Sequence, residues 1–444
     1  MANNSQLQAS DIKPWLLPPP QDYIFINANI VDVEAGKIIP KQTLHIRNGR
    51  IISVSTANPT STEATVIDCQ GHYLCPGLFD AHVHLCAVPG FTDLGKAFGN
   101  PNDVHLLRQP YYATQMLHRG FTSIRDCGGA QLALKQAIDD GVFPGPRLFL
   151  SGHALSQFGG HGDLRGPHEP GACCGGVHEN NALGRMCNGV PECMIAVRDE
   201  IRRGADFIKI MGSGGVASPT DRLEHLQFTG AEIQAMVECA TNAGTFVTAH
   251  AYTVKAIRHC IDNGVRGIEH GNFVDPPTAK LMAERGVYLT PTLIAYAQMA
   301  SERWAGYLPP ESQEKNTQVL QSGLEALKVA AEAGVTMCYG SDLLGPLTRA
   351  QTQEFALRSQ VLSPVEVLRS ATLHPARMMG CQDRIGQLKE GFEADVLLLN
   401  RNPLEDVTIF DQPGEHVLGV MKNGRVYKSR WSALPEDAAV PVRV

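Results

Sequence analysis

The stretch Leu74-Cys75-Pro76-Gly77-Leu78-Phe79-Asp80-Ala81-His82-Val83-His84 decides how this chain is read. It is an apolar run that closes on two histidines one residue apart. Successive side chains of a β-strand point to opposite faces, so His82 and His84 share a face. Two imidazoles together at a strand end form half of a transition-metal site. With 16 histidines in the chain, such a pair alone carries little weight. It gains weight only if other ligands arrive at strand ends further along.

Outward from this strand, the sequence alternates strand and helix. Phe121-Thr122-Ser123-Ile124-Arg125-Asp126 reads as a strand closed by Gly128-Gly129. Residues 147–151 form the next, leading into a long irregular loop through Gly159-Gly160-His161-Gly162. Further strands are expected at 206–211, 245–250, 267–270, 287–291 and 335–339, with helical stretches such as 231–242 and 255–262 between them. Together they make about eight strand–helix units, the pattern of an α/β (β/α)8 TIM barrel. A doubly wound sheet, the main competitor, usually shows fewer strands and a phosphate-binding turn after the first.

The flanks read differently. Short strands at 23–26, 42–46 and 50–54 carry the tight-hairpin pair Asn48-Gly49, and Asn423-Gly424 mirrors it among strands at 394–399, 417–421 and 422–427. Both chain ends are therefore expected to build one small β-sandwich domain from residues 1–76 and 376–444, beside a catalytic barrel over 77–375.

Composition narrows the function. At 444 residues, 43% hydrophobic and 19% charged, the chain reads as an ordinary globular protein. A net charge of −7 and the lack of Lys/Arg clusters argue against a nucleic-acid partner. No apolar stretch is long enough to span a bilayer, so no membrane partner is expected. The polar start Met1-Ala2-Asn3-Asn4 lacks the layout of a secretory signal. The 12 cysteines contain no CxxC pair, which favours free thiols in a reducing, cytoplasmic setting.

Functional groups of a barrel collect at the C-terminal ends of its strands. The last polar residues there are His82, His84, Lys209, His250 and His270, with Asp342 just after the last strand. Four imidazoles and a carboxylate at one mouth point to divalent metal. Lys209 is the misfit, since an ammonium repels cations. Either it pairs with a carboxylate outside the site, or its neutral amine has taken up CO2 to become an anionic carbamate able to bridge two metals.

On these residues the chain resembles the amidohydrolase superfamily, binuclear type. The matching text is Cys75 to His84, Phe207-Ile208-Lys209-Ile210, Ala249-His250-Ala251, Ile268-Glu269-His270-Gly271, Gly340-Ser341-Asp342 and Gly386 to Asp395. The resemblance implies that His82, His84 and Asp342 hold one metal, His250 and His270 the other, and carbamylated Lys209 bridges both. A hydroxide bridging the ions is then the nucleophile, with Asp342 as general base and then general acid. Zinc suits the nitrogen-rich set best.

Within the superfamily, the likeness is to metal-dependent dipeptidases and carboxypeptidases, a group that includes the fungal ochratoxinase. The pointers are Gly159-Gly160-His161-Gly162-Asp163, the glycines after Lys209-Ile210-Met211, and His250-Ala251-Tyr252. In that group His161 would assist the carbonyl and Tyr252 would contact a substrate oxygen. The implied substrate is a small molecule with a peptide-like amide bond, an N-acyl amino acid or dipeptide, with ochratoxin A among the candidates. The resemblance also implies a homo-oligomer. Cys187-Asn188-Gly189, where the family usually carries an acidic residue, and Cys173-Cys174 stand outside its pattern.

Gly212-Ser213-Gly214-Gly215-Val216-Ala217 fits a dinucleotide fingerprint, but that fingerprint must open directly into a helix, and Ser218-Pro219 discourages one. These glycines are expected to let substrate backbone approach. Two other functions compete. Cyclic-amide hydrolysis or deamination, as in imidazolonepropionase-like enzymes, often uses one metal and lacks the strand-4 lysine. A non-enzymatic scaffold would not keep all six ligands.

Overall fold

The first-strand motif forms a buried strand, Leu78–Val83, in the computed structural model, which describes residues 8–57, 63–98, 102–165, 168, 182–218 and 220–438. It pairs in parallel with Phe121–Asp126, which pairs with Arg147–Leu150. A second parallel run follows: Ile208–Met211, Val247–Ala251, Gly267–His270 and Tyr288–Thr290. Asp206 N donates to Leu150 O at 2.7 Å, joining the two runs. Apolar side chains from these strands and from the helices outside them share one continuous core, the arrangement of a TIM barrel.

Two elements depart from the expected text. The eighth strand is reduced to a single bridge between Leu289 and Met337. It still closes the ring, because Ala81 N donates to Tyr339 O at 2.7 Å. The ladder ends there because the chain turns inward at Gly340, where a Cβ would lie 2.5 Å from Thr290 Cγ2 and 2.9 Å from His82 Cβ. Within the expected irregular loop, Ala154–Ser156 and Gly184–Met186 pair as short parallel strands. Three residues are too few to show a period.

The helices begin where their caps predict. Thr229 and Glu232 form a capping box for Gly230–Asn242, and Thr253 and Asp275 cap Val254–Asp262 and Pro276–Glu284.

Both chain ends join in one eight-stranded sheet. Its order runs Arg425–Ser429, Val417–Lys422, Val396–Leu399, Tyr73–Pro76, Tyr23–Asp32, Lys37–Arg47, Arg50–Ser55, with Thr65–Asp68 also on Tyr23–Asp32. Early and late strands enclose a second apolar core that includes Tyr23, Phe25, Ile46, Val396 and Val426. At both hairpin turns the Asn and the Gly have positive φ, as a two-residue type I′ turn demands. The turns touch: a Cβ on Gly49 would lie 2.7 Å from Asn423 O. Arg147 crosses the seam to Asp395 at 2.6 Å. A cavity of about 750 Å³ also lies at this seam, beside the starts of the barrel strands. Some of its charges are paired internally, as Arg147 with Glu393 and Lys135 with Asp206. Among the described residues no helix is long and apolar enough to cross a membrane.

Candidate active site

Register decides which side chains meet inside the barrel. Lys209 pairs with Thr248, Met211 with His250, and His250 with Glu269, so alternation turns Lys209, His250 and Glu269 to the same inner face. On the first strand Asp80, His82 and His84 share that face. Asp80 accepts from Ser341 N at 3.1 Å, Ser341 Oγ at 2.5 Å and Gln351 Nε2 at 2.8 Å. The strand that presents His82 thus also anchors the Gly340-Ser341-Asp342 turn. His270 and Asp342 both have left-handed backbone, with φ of 74° and 47°. Non-glycine residues rarely adopt it, and the cost is of order 1–3 kcal/mol where the surroundings enforce it.

The six predicted ligand residues border one small cavity with about 50 Å³ of free space, room for about one or two waters. Asp342 Oδ1 lies 3.4 Å from His82 Nε2 and 3.2 Å from His84 Nε2, and Oδ2 lies 4.0 Å from His270 Nδ1. His82, His270 and Asp342 each place a donor atom within 4.8 Å of the others. The ring centroids of His250 and His270 are 4.5 Å apart.

One nitrogen of each ring is already committed. His82 Nδ1 is 2.8 Å from Glu269 Oε2, His84 Nδ1 is 3.0 Å from Gly128 O, and His270 Nδ1 is 2.8 Å from both Thr292 Oγ1 and Tyr296 OH. His250 Nε2 faces Gly214 O at 3.3 Å. Each ring therefore keeps one nitrogen for the interior, held as metal-ligating histidines are held by their outer partners. His82 Nε2 and His84 Nε2 sit only 3.3 Å apart. Neutral imidazole lone pairs and a carboxylate crowded together fit divalent cations.

Electrostatics agree with the donor set. Burial first, then an ammonium at Lys209, bring the His82 imidazole down to about 4 against the opposing pull of Asp342 and Glu269. Burial likewise holds His250 and His270 well below the ordinary value. Burial would raise the Asp342 carboxyl, but His82, His84 and Lys209 outweigh it and bring it to about 2. Lys209 is 1% exposed, and no ion pair or hydrogen bond joins its amine to a described residue. The pairing with an outside carboxylate is therefore absent among the described residues.

The amidohydrolase family profile matches residues 73–427. Ochratoxinase of Aspergillus niger is 34% identical over 421 residues, covering 90% of this chain and 87% of that protein. The crystal structure of that ochratoxinase superposes with a TM-score of 0.80 at 31% identity, over 96% of this chain and all of its own. A prolidase solved with N-methylphosphonate-L-proline gives a TM-score of 0.88 at 41% identity, over 92% of this chain and 100% of that one.

The chain belongs to the amidohydrolase family.

Two more predicted residues border the cavity of this amidohydrolase. The His161 imidazole stacks on His250, with centroids 4.2 Å apart and planes at 27°. Tyr252 is 2% exposed and stacks on His270 at 5.1 Å. The glycines after the fourth strand serve the protein itself: a Cβ on Gly215 would lie 2.1 Å from His161 Cε1, and one on Gly214 would lie 1.9 Å from Arg222 O. The expectation that they admit substrate backbone is corrected accordingly. No helix follows them; residues 216–217 are bends, while Pro219 lies outside the described residues. Cys173-Cys174 also lie outside them. Cys187 is buried, with its thiol 3.8 Å from that of Cys193.

Sequence reading missed several side chains, among them Glu269, Arg125 and Tyr296. Glu269 joins His82 to Arg125, whose guanidinium lies 2.6 Å away. Tyr296 holds His270 and meets Tyr252 OH at 2.9 Å. It lies on the helix Leu293–Met299, where no motif marks it. Apolar side chains, including Leu164, Leu183, Val216, Met299 and Leu344, make up much of the remaining wall.

Proposed function

We propose that this amidohydrolase is a binuclear metal-dependent enzyme that hydrolyses a peptide-like amide bond and releases an amino acid from an N-acyl amino acid or dipeptide. One observation carries the reading: a buried Lys209 with no hydrogen bond or ion pair to a described residue, beside a carboxylate and four imidazoles that each have one nitrogen already held. A buried ammonium among four imidazoles is costly even with Asp342 and Glu269 close enough to feel its charge, and a carbamate resolves the cost by turning a cation into an anionic ligand.

In this reading His82, His84 and Asp342 would hold one divalent ion and His250 and His270 the second, and carbamylated Lys209 would supply an anionic ligand to the pair, with zinc the best match to the donors. Bound metals bring the pKa of water toward neutrality and polarise a carbonyl oxygen. Asp342 accepts the proton of the attacking water and returns it to the leaving amine, base then acid. Tyr252 and His161 contact the substrate. The apolar walls suit uncharged acyl groups or side chains, and ochratoxin A belongs among the substrates to test because the ochratoxinase matches this chain over 87% of its own length.

The unbridged described cysteines support a cytoplasmic location. Exposed Leu107 and Tyr111, at 82% and 63% on the helix Asn102–His118, support self-association.

A panel of N-acyl amino acids, Xaa-Pro and Xaa-Arg dipeptides and ochratoxin A, followed by release of free amino acid, tests the substrate class. Metal analysis of the same preparation is expected to give two equivalents per chain. One equivalent with deaminase or cyclic-amide activity would overturn the proposal.

A further inference from the structure

His161 is held from behind by a chain of hydrogen bonds with a fixed direction. Its Nδ1 lies 2.7 Å from Ser218 Oγ. Ser218 Oγ in turn bonds Asp221 Oδ1. Asp221 is 5% exposed and also accepts from Gly215 N and Gln227 Nε2, each at 3.1 Å. The Lys315 ammonium stands 3.7 Å from its Oδ1. Lys315 reaches in from the helix Pro310–Glu332 and ties down the carbonyls of Gly215 at 2.7 Å and Ser218 at 2.8 Å. Gln227 completes the frame, its Oε1 accepting from the backbone N of His161 at 3.0 Å.

The direction follows from counting protons. A serine hydroxyl has one proton, and a carboxylate beside a lysine can only accept. With that proton given to Asp221, Ser218 Oγ can only accept from His161. The imidazole proton therefore sits on Nδ1, and Nε2 is left with its lone pair. A carboxylate acting on an imidazole through a fixed partner selects its tautomer in the same way elsewhere.

We infer that Ser218 and Asp221 are positioning residues that hold His161 as the Nδ1–H tautomer, so that Nε2 meets the substrate as a hydrogen-bond acceptor. The group it recognises is an N–H of the substrate, on the amide or on a neighbouring amine, and not a carbonyl oxygen. This deepens the proposed function and rests on it for the identity of the substrate, but the tautomer is a property of the folded chain. Gly215 belongs to the same device, since any side chain there would occupy the place of the ring.

Two measurements on the metal-loaded full chain test the inference. In a long-range proton–nitrogen NMR spectrum with labelled histidine, assigned by His161→Gln, the wild-type ring is expected to show a protonated Nδ1 and a bare Nε2, a pattern lost in Ser218→Ala. A wild-type ring protonated at Nε2 overturns the inference even if no substrate has been found. In kinetics, Ser218→Ala is expected to lower kcat by about 10–100-fold at unchanged metal content, with Ser218→Thr restoring it to within about threefold. In the His161→Gln background the same Ser218→Ala change is expected to cost nothing further. A full additional loss there would mean that Ser218 does not act through His161. Absence of turnover on every amide tested, with the Nδ1–H pattern intact, would count against the proposed function and leave the tautomer standing.

Discussion

Glu269 stands between Arg125 and His82, one carboxylate oxygen 2.6 Å from the guanidinium and the other 2.8 Å from the imidazole Nδ1, with all three side chains buried. The carboxylate orients His82 and is itself compensated by Arg125. Glu269→Gln should therefore do two things at once. Metal affinity should fall by about 10–100-fold, as when other outer partners of ligating histidines are removed. Stability should fall by about 3–5 kcal/mol, because Arg125 loses its buried counter-charge. Metal titration and thermal melting check the two effects separately, and unchanged values in both would show that Glu269 does neither.

Lys209→Ala should abolish binding of two metals and most turnover. Short carboxylic acids added to this variant should restore part of both, standing in for the carbamate. Turnover at the wild-type level without additive would end the carbamate reading.

Asp342→Asn should keep most of its metal while losing turnover by about 100-fold or more, the range expected when a proton-transfer group is removed. Metal analysis beside steady-state kinetics decides this, and surviving turnover would assign the proton shuttle to another group.

Stability should depend on pH through Asp411, which ends the short turn Val407–Asp411. Burial, with help from the nearby Asp406 and Glu354 and against a backbone amide at Ala356, pushes its carboxyl up to about 7. The folded state thus prefers the neutral form. Between the ordinary value of 3.8 and about 7 the native chain binds more protons than the unfolded one, so stability falls as pH rises through that window. Asp411→Asn stays neutral. Its melting temperature relative to wild type should climb across the window and level off above about pH 7. A constant difference from acid to neutral pH would contradict the assignment.

The barrel and the cluster of side chains at its mouth were legible because strand alternation and strand ends obey simple periods, and His82, His84, Lys209 and His250 follow them. Glu269 was hidden by the same rule. Alternation places neighbours on opposite faces, so Glu269 and His270 could not both be read as inward. The left-handed backbone of His270 breaks the alternation and turns both into the barrel. Ser218, Asp221 and Lys315 were out of reach for another reason: two lie in a loop without period and the third on a distant helix, and only the fold brings them together. The eighth strand was read too long because composition does not register how closely Gly340 must pass Thr290 and His82.

The antiparallel pairing of Tyr73–Pro76 with Val396–Leu399 bears on how the protein comes into being. The strand that leads directly into His82 and His84 has Tyr23–Asp32 on one side from early on, but it gains its second sheet partner only after the whole barrel has been synthesised. On the ribosome, His82 and His84 thus wait for some of the latest residues before the sheet beneath them is complete. Damage to Val396–Leu399 would accordingly show itself first as poor metal uptake by newly made chains, far from where the lesion lies.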